Sequence, residues 1–128
     1  MARVLAADDD RNICRLLETI LEGAGHEVIC QPDGARTLIA AHEKKPDVVL
    51  LDLVMPIMDG LTALRLLKSH AATCDIPIII ITGKDEAANV RSGYDLGADL
   101  LLGKPFDPED VLECVDRLLP AGEGWEPP

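Results

Sequence analysis

The stretch Asp47-Val48-Val49-Leu50-Leu51-Asp52-Leu53-Val54-Met55-Pro56-Ile57-Met58-Asp59-Gly60 decides the fold. Its apolar run, Val48 to Leu51, is too short for a helix and shows no polar alternation, which is the pattern of a strand buried on both faces. Asp52 closes that strand at its carboxyl end. Met55-Pro56 turns the chain, and Asp59-Gly60 reads as the turn and cap that open a helix. One aspartate at one strand end carries little weight, because Asp is a common turn and cap residue. It gains weight from the polar residues at three other strand ends.

Upstream, Val4-Leu5-Ala6-Ala7 predicts a short strand running into Asp8-Asp9-Asp10. Ile13, Leu16, Leu17, Ile20 and Leu21 then recur at helical spacing until Gly23-Ala24-Gly25. His26 to Cys30 predicts a second strand. A second helix follows the turn Pro32-Asp33-Gly34 and stops at Lys44-Lys45-Pro46. Downstream, Leu61, Leu64 and Leu67 mark a third helix that gives out near Ala72-Thr73. The run Ile76 to Ile81 predicts strand four, ending at Thr82-Gly83, and Asp85 to Gly97 a weaker helix interrupted by Gly93. Leu100 to Leu102 predicts strand five, ending at Gly103-Lys104-Pro105. Asp107-Pro108-Glu109-Asp110 is a strong helix start, and Val111, Leu112, Val115, Leu118 and Leu119 line that last helix.

Strands alternating with helices, with the later strands continuously apolar, predict an α/β fold: a doubly wound five-stranded parallel sheet with helices on both faces. In such sheets ligands bind beyond the carboxyl ends of the strands. The 128 residues suit one domain, expected over residues 1–119, with 120–128 a flexible tail or the start of a linker. Hydrophobic residues make up 48%, but Tyr94, Phe106 and Trp125 are the only aromatics, so the core must be aliphatic. The net charge of −11 argues against direct binding of nucleic acid or an anionic membrane, and permits a cation site and basic partners. No signal peptide and no membrane-length apolar run are visible, so the expected location is the cytoplasm. Cys14, Cys30, Cys74 and Cys114 lack Cys-x-x-Cys spacing and nearby histidines, which predicts reduced thiols rather than a disulfide or zinc framework. His26, His42 and His70 show no ligand pattern and read as surface or packing residues.

The strand ends collect Asp8, Asp9 and Asp10 from strand one, Asp52 from strand three, Thr82 from strand four and Lys104 from strand five. Clustered carboxylates raise one another's pKa or recruit a cation. Oxygen donors in a half-open site suit Mg²⁺. A carboxylate can act as nucleophile towards a phosphoryl group, whose oxygens a hydroxyl and an ammonium can then neutralise.

Four pieces in this order resemble the receiver domain of the two-component response-regulator family. They are Val4 to Asp10; Leu51-Asp52-Leu53-Val54-Met55-Pro56 with Met58-Asp59-Gly60; Ile80-Ile81-Thr82-Gly83; and Gly97-Ala98-Asp99 with Lys104-Pro105-Phe106. The resemblance implies the flavodoxin-like strand order 2-1-3-4-5, for which a chemotaxis receiver is a standing example. It implies that Asp52 is the phosphoacceptor, that Thr82 bonds the phosphoryl group, and that Lys104 pairs with Asp52 and then with that group. It implies Mg²⁺ held directly by Asp9 and Asp52 and by the backbone carbonyl of Val54, with Asp8 acting through water. The Lys104-Pro105 bond is often cis in the family.

The implied partners are a sensor histidine kinase or histidine phosphotransfer protein, and an effector protein on the face of helix 4, strand 5 and helix 5. Homodimerisation on phosphorylation is a further implied mode. The chain would catalyse its own phosphoryl transfer and slow dephosphorylation without being a turnover enzyme. Leu101 stands where an aromatic switch residue is usual, so coupling to Thr82 is expected to be steric.

Taken singly, each feature has a plainer reading. Asp8 to Asp10 could cap a helix, Thr82 could be an ordinary strand-end residue and Lys104 a solvated lysine. The alternative for the whole is a phosphorylation-independent pseudo-receiver serving as a protein-interaction module. An aspartyl phosphatase is less suited, because many need a second Asp two positions after the nucleophile and Val54 is there. A dinucleotide-binding domain would want Gly-x-Gly-x-x-Gly where Asp8-Asp9-Asp10-Arg11 stands.

Overall fold

The computed structural model describes residues 2–83 and 87–119, with backbone alone for 87–90. The expected tail at 120–128 and the expected helix start at Asp85 lie outside the described residues. The elements are β1 (Arg3–Ala7), α1 (Arg11–Gly23), β2 (Glu27–Gln31), α2 (Gly34–Lys44), β3 (Val48–Asp52), α3 (Gly60–Ser69), β4 (Ile78–Thr82), α4 (Ala87–Asp95), β5 (Leu100–Gly103) and α5 (Pro108–Leu118). All strand pairs are parallel and the sheet order is β2-β1-β3-β4-β5.

β3 and β4 are buried along their whole length, as continuous apolar runs require. Alternate residues of each strand face opposite layers. Leu5, Val49, Leu51, Ile78 and Ile80 pack with α2 and α3 through Ala40, Ala63, Leu64 and Leu67. Val4, Ala6, Leu50, Ile79 and Ile81 pack on the other side with Leu17 and Leu21 of α1 and Val111 and Val115 of α5. The two small residues Ala6 and Ala7 of β1 are themselves fully buried, one in each layer.

Three expected boundaries move for local reasons. β4 begins at Ile78 rather than Ile76, because Pro77 has no N–H; its carbonyl still accepts from Val49 N at 2.9 Å. α3 ends at Ser69 rather than near Ala72-Thr73, and the buried Thr73 hydroxyl donates to the Leu67 carbonyl at 2.6 Å. α4 ends at Asp95, ahead of Gly97 at φ 108°.

Gly93, read above as a weak point, has a packing role. A Cβ there would overlap Ile80 Cδ1, so glycine lets α4 lie this close to β4 without moving the Ile80 side chain. His26 is a packing residue: it is buried and its Nδ1 accepts from Ala2 N at 3.2 Å. All four cysteines are free and partly buried.

Candidate functional site

Sheet register sets the site. Ala7 is level with Leu51, Asp52 with Ile81, and Thr82 with Gly103, so Asp8, Asp52, Thr82 and Lys104 emerge side by side beyond the sheet. The Lys104 N–H donates to the Thr82 carbonyl at 2.7 Å, fixing the start of the turn after β5. The Lys104-Pro105 peptide bond is cis.

The loop after β3 is anchored by α3. Asp59 caps that helix, its carboxylate accepting from Thr62 N at 2.8 Å. Gly60 N donates to the Leu53 carbonyl at 2.9 Å, and a Cβ on Gly60 would overlap the Asp52 carbonyl oxygen and meet Leu53 Cα at 2.5 Å. The helix start is thereby pressed against the backbone of Asp52 itself.

The three consecutive acids that follow β1 divide their roles. Asp10 is the N-cap of α1 and accepts from Asn12 N at 2.8 Å. Asp8 is buried, and its Oδ1 accepts from Asp10 N at 2.9 Å. Asp9 is exposed. Asp8, Asp9 and Asp52 each offer a carboxylate oxygen, all within 4.8 Å of one another. The plain capping reading thus holds for Asp10, and not for its two neighbours.

Lys104 bridges the two buried acids. Its Nζ lies 3.2 Å from Asp52 Oδ2 and 3.0 Å from Asp8 Oδ2. The second approach is an ion pair without hydrogen-bond alignment, because Asp8 Oδ2 is buried and has no hydrogen-bond partner. Asp52 Oδ1 accepts from Val54 N at 3.1 Å. Burial pushes the Asp52 carboxyl up to about 6, with the Asp8 charge adding and the Val54 N–H and Lys104 opposing. Burial, more than repulsion among acids, is therefore the chief cause. Burial alone would lower Lys104, but its close approach to the carboxylates of Asp8 and Asp52 outweighs it and holds the ammonium above its usual range.

Thr82 is buried, and its hydroxyl donates to the Gly83 carbonyl at 3.2 Å. The Asp8–Lys104 pair was missed by sequence reasoning. Counting register across β1, β3, β4 and β5 would have found it, since Lys104 and Asp8 are each one residue past the last paired position. The arrangement can hold a hard cation on three carboxylates and present one buried carboxylate beside an ammonium and a hydroxyl. Three carboxylate oxygens within 4.8 Å of one another, two of them on the buried Asp8 and Asp52, are hard donors that fit Mg²⁺. Among the described residues no helix is long and apolar enough to cross a membrane.

Comparison with known proteins agrees with this geometry. Residues 4–116 match the family described as response regulator receiver domain. The chain is 40% identical over 119 residues to the protein PilH of Pseudomonas aeruginosa, covering 93% of this chain and 98% of PilH. It is 39% identical to the DNA-binding dual master transcriptional regulator RpaA of Synechocystis sp., covering 93% of this chain and 49% of RpaA. The chain thus spans about half the length of that relative. The chemotaxis response regulator CheY4 of Vibrio cholerae superposes with a TM-score of 0.87 at 33% identity, over 93% of this chain and 99% of CheY4.

Proposed function

The chain belongs to the response regulator receiver domain family of two-component signalling, and on that premise we propose that it is a phosphorylation-dependent switch whose phosphoacceptor is Asp52. One observation carries the reading. The buried Asp52 closes the central strand with Lys104 at 3.2 Å and shares a cation-sized space with Asp8 and Asp9.

Asp9, Asp52 and the Val54 backbone carbonyl would hold Mg²⁺ directly, and Asp8 through water. Bound there, the ion supplies positive charge for phosphoryl oxygens. An Asp52 oxygen attacks the phosphorus of a phosphohistidine on a sensor kinase or phosphotransfer protein. The P–N bond breaks and an acyl phosphate remains on Asp52. Lys104 is placed to neutralise one phosphoryl oxygen, and the Thr82 hydroxyl to donate to another. Because Lys104 N is bonded to the Thr82 carbonyl, a shift at either residue is felt by β5 and by the turn into α5. We assign the output to the α4-β5-α5 face, where an effector protein, or a second copy on phosphorylation, would dock. Leu101 there is 37% exposed and offers bulk without a hydroxyl. The chain catalyses its own phosphoryl transfer and slow dephosphorylation in the cytoplasm, without turnover of a substrate.

The test is incubation with acetyl phosphate and Mg²⁺. One acyl phosphate per chain, abolished in Asp52→Asn, is expected. No label would favour a phosphorylation-independent interaction module, and many equivalents of released phosphate a phosphatase. Stoichiometric label persisting in Asp52→Asn would overturn the assignment.

A further inference from the structure

Behind the acidic pocket lies a second chemical feature that the phosphoryl chemistry does not use. Cys14 sits in the first turn of α1, three and seven residues before Leu17 and Leu21, the two fully buried anchors of that helix. It therefore faces the sheet. Cys30 lies on β2 in register with Ala6 and two residues after Val28, so both point into the layer covered by α1. There the Cys30 thiol reaches the backbone of Cys14. Cys30 Sγ donates to the Cys14 carbonyl at 3.7 Å, and Cys14 Sγ donates to the Asp8 carbonyl at 3.5 Å. Both line one open cavity of about 330 Å³, whose wall also includes Asp8 and Asp9. Solvent thus reaches the pair from the same side as the acids. Cys74 follows α3, and Cys114 is on α5, away from this cavity.

We propose that Cys14 and Cys30 form a dithiol–disulfide redox site, oxidised by low-molecular-weight disulfides, whose oxidation weakens cation binding at the neighbouring acids. The second half rests on the cation reading of Asp8 and Asp9 given above; the first half does not. The chemistry is two successive exchanges. One protein thiol loses its proton, attacks a sulfur of the external disulfide and expels one small thiol, leaving a mixed disulfide. The second protein thiol loses its proton, attacks the protein sulfur of that bond and expels the other small thiol. Two protein thiols give up two electrons and two protons, and the external disulfide becomes two thiols. Forming the bond takes Cys14 Sγ from the Asp8 carbonyl towards β2. The first turn of α1, capped by Asp10, and the acids just before it move with that change.

The experiment equilibrates the whole chain in glutathione buffers of increasing oxidised fraction, followed by alkylation and peptide mass mapping. Expected are loss of two hydrogens, a Cys14–Cys30 linked peptide, and Cys74 and Cys114 still alkylated. Cys14→Ser should give no linked peptide. A linked peptide seen only in urea, or reaction of Cys74 and Cys114 ahead of the pair, would overturn the site. Mg²⁺ titration followed by the amide shifts of Asp9 and Asp52 should show a midpoint about tenfold higher in the oxidised than the reduced protein, the scale of a lost supporting contact. Equal midpoints would overturn the coupling. A reduced protein that binds no Mg²⁺ would instead count against the proposed function, and the linked peptide would still decide the disulfide.

Discussion

Lys104 Nζ stands 3.2 Å from Asp52 Oδ2, yet the Asp52 carboxyl is pushed up to about 6 from an ordinary 3.8. The lysine is shared with Asp8 at 3.0 Å, and burial of Asp52 outweighs its half of the attraction. A folded-state pKa above the unfolded one means that ionisation opposes folding. Below about pH 3 the acid is protonated in both states and nothing is lost. As pH rises from 3.8 to about 6, the unfolded chain ionises first and stability falls; above that the full loss persists. Asp52→Asn leaves Lys104 its partner Asp8 and removes the buried charge. Without Mg²⁺ at pH 7 it should be more stable than the parent by about 2 kcal/mol, with the difference vanishing at about pH 3. Urea denaturation at several pH values measures this; a variant no more stable at pH 7 would refute the burial account.

Ile57 occupies φ 67° with 85% of its surface exposed. A β-branched side chain in the left-handed region is strained, and this one recovers little by burial. Ile57→Gly relieves the strain and gives back part of the gain as unfolded-chain entropy. The expected net stabilisation is about 0.5–1 kcal/mol. An unchanged or lower urea midpoint would mean that the loop holds Ile57 there without strain.

Gly60 gives the opposite sign only a few residues away. A Cβ would strike the backbone of Asp52 and Leu53, neither of which can swing aside as a side chain could. Gly60→Ala should destabilise by about 2–4 kcal/mol and displace Asp52 as well. Phosphorylation by acetyl phosphate should fall with it, even at temperatures where the variant stays folded. Normal stability combined with normal labelling would show that the α3 start can back away.

How far these features could be read in advance follows from their range along the chain. β3 and β4 were legible because unbroken apolar runs have few alternatives, and Asp52, Thr82 and Lys104 because each ends such a run. The strand order came from family resemblance, since periodicity says nothing about which strands are neighbours. The Asp8–Lys104 pair depends on the register of strands far apart in sequence, and the meeting of Cys14 and Cys30 on two elements 16 residues apart packing together. Gly93 looked like a defect because a helix-propensity argument cannot see Ile80 beneath it. Ile57 was opaque for the reverse reason: its chemistry argues against the conformation it holds.

Val54 should limit loss of the phosphoryl group from Asp52. Its N–H holds Asp52 Oδ1 at 3.1 Å, while its side chain, 56% exposed, offers only methyl groups beside the acid. Hydrolysis of an acyl phosphate needs a water held in line behind the phosphorus, and a carboxamide could hold one there. Lys84, two positions after Thr82, lies outside the described residues. Val54→Asn keeps the backbone N–H and so keeps the Asp52 contact. Acyl phosphate decay, followed at fixed Mg²⁺ and pH after removal of the donor, should be roughly tenfold faster in Val54→Asn than in the parent. A Val54→Ala control separates water placement from simple opening of the rim, since alanine opens the rim and holds no water. Equal decay in parent and Val54→Asn, or equal acceleration by alanine and asparagine, would rule out the water-holding account.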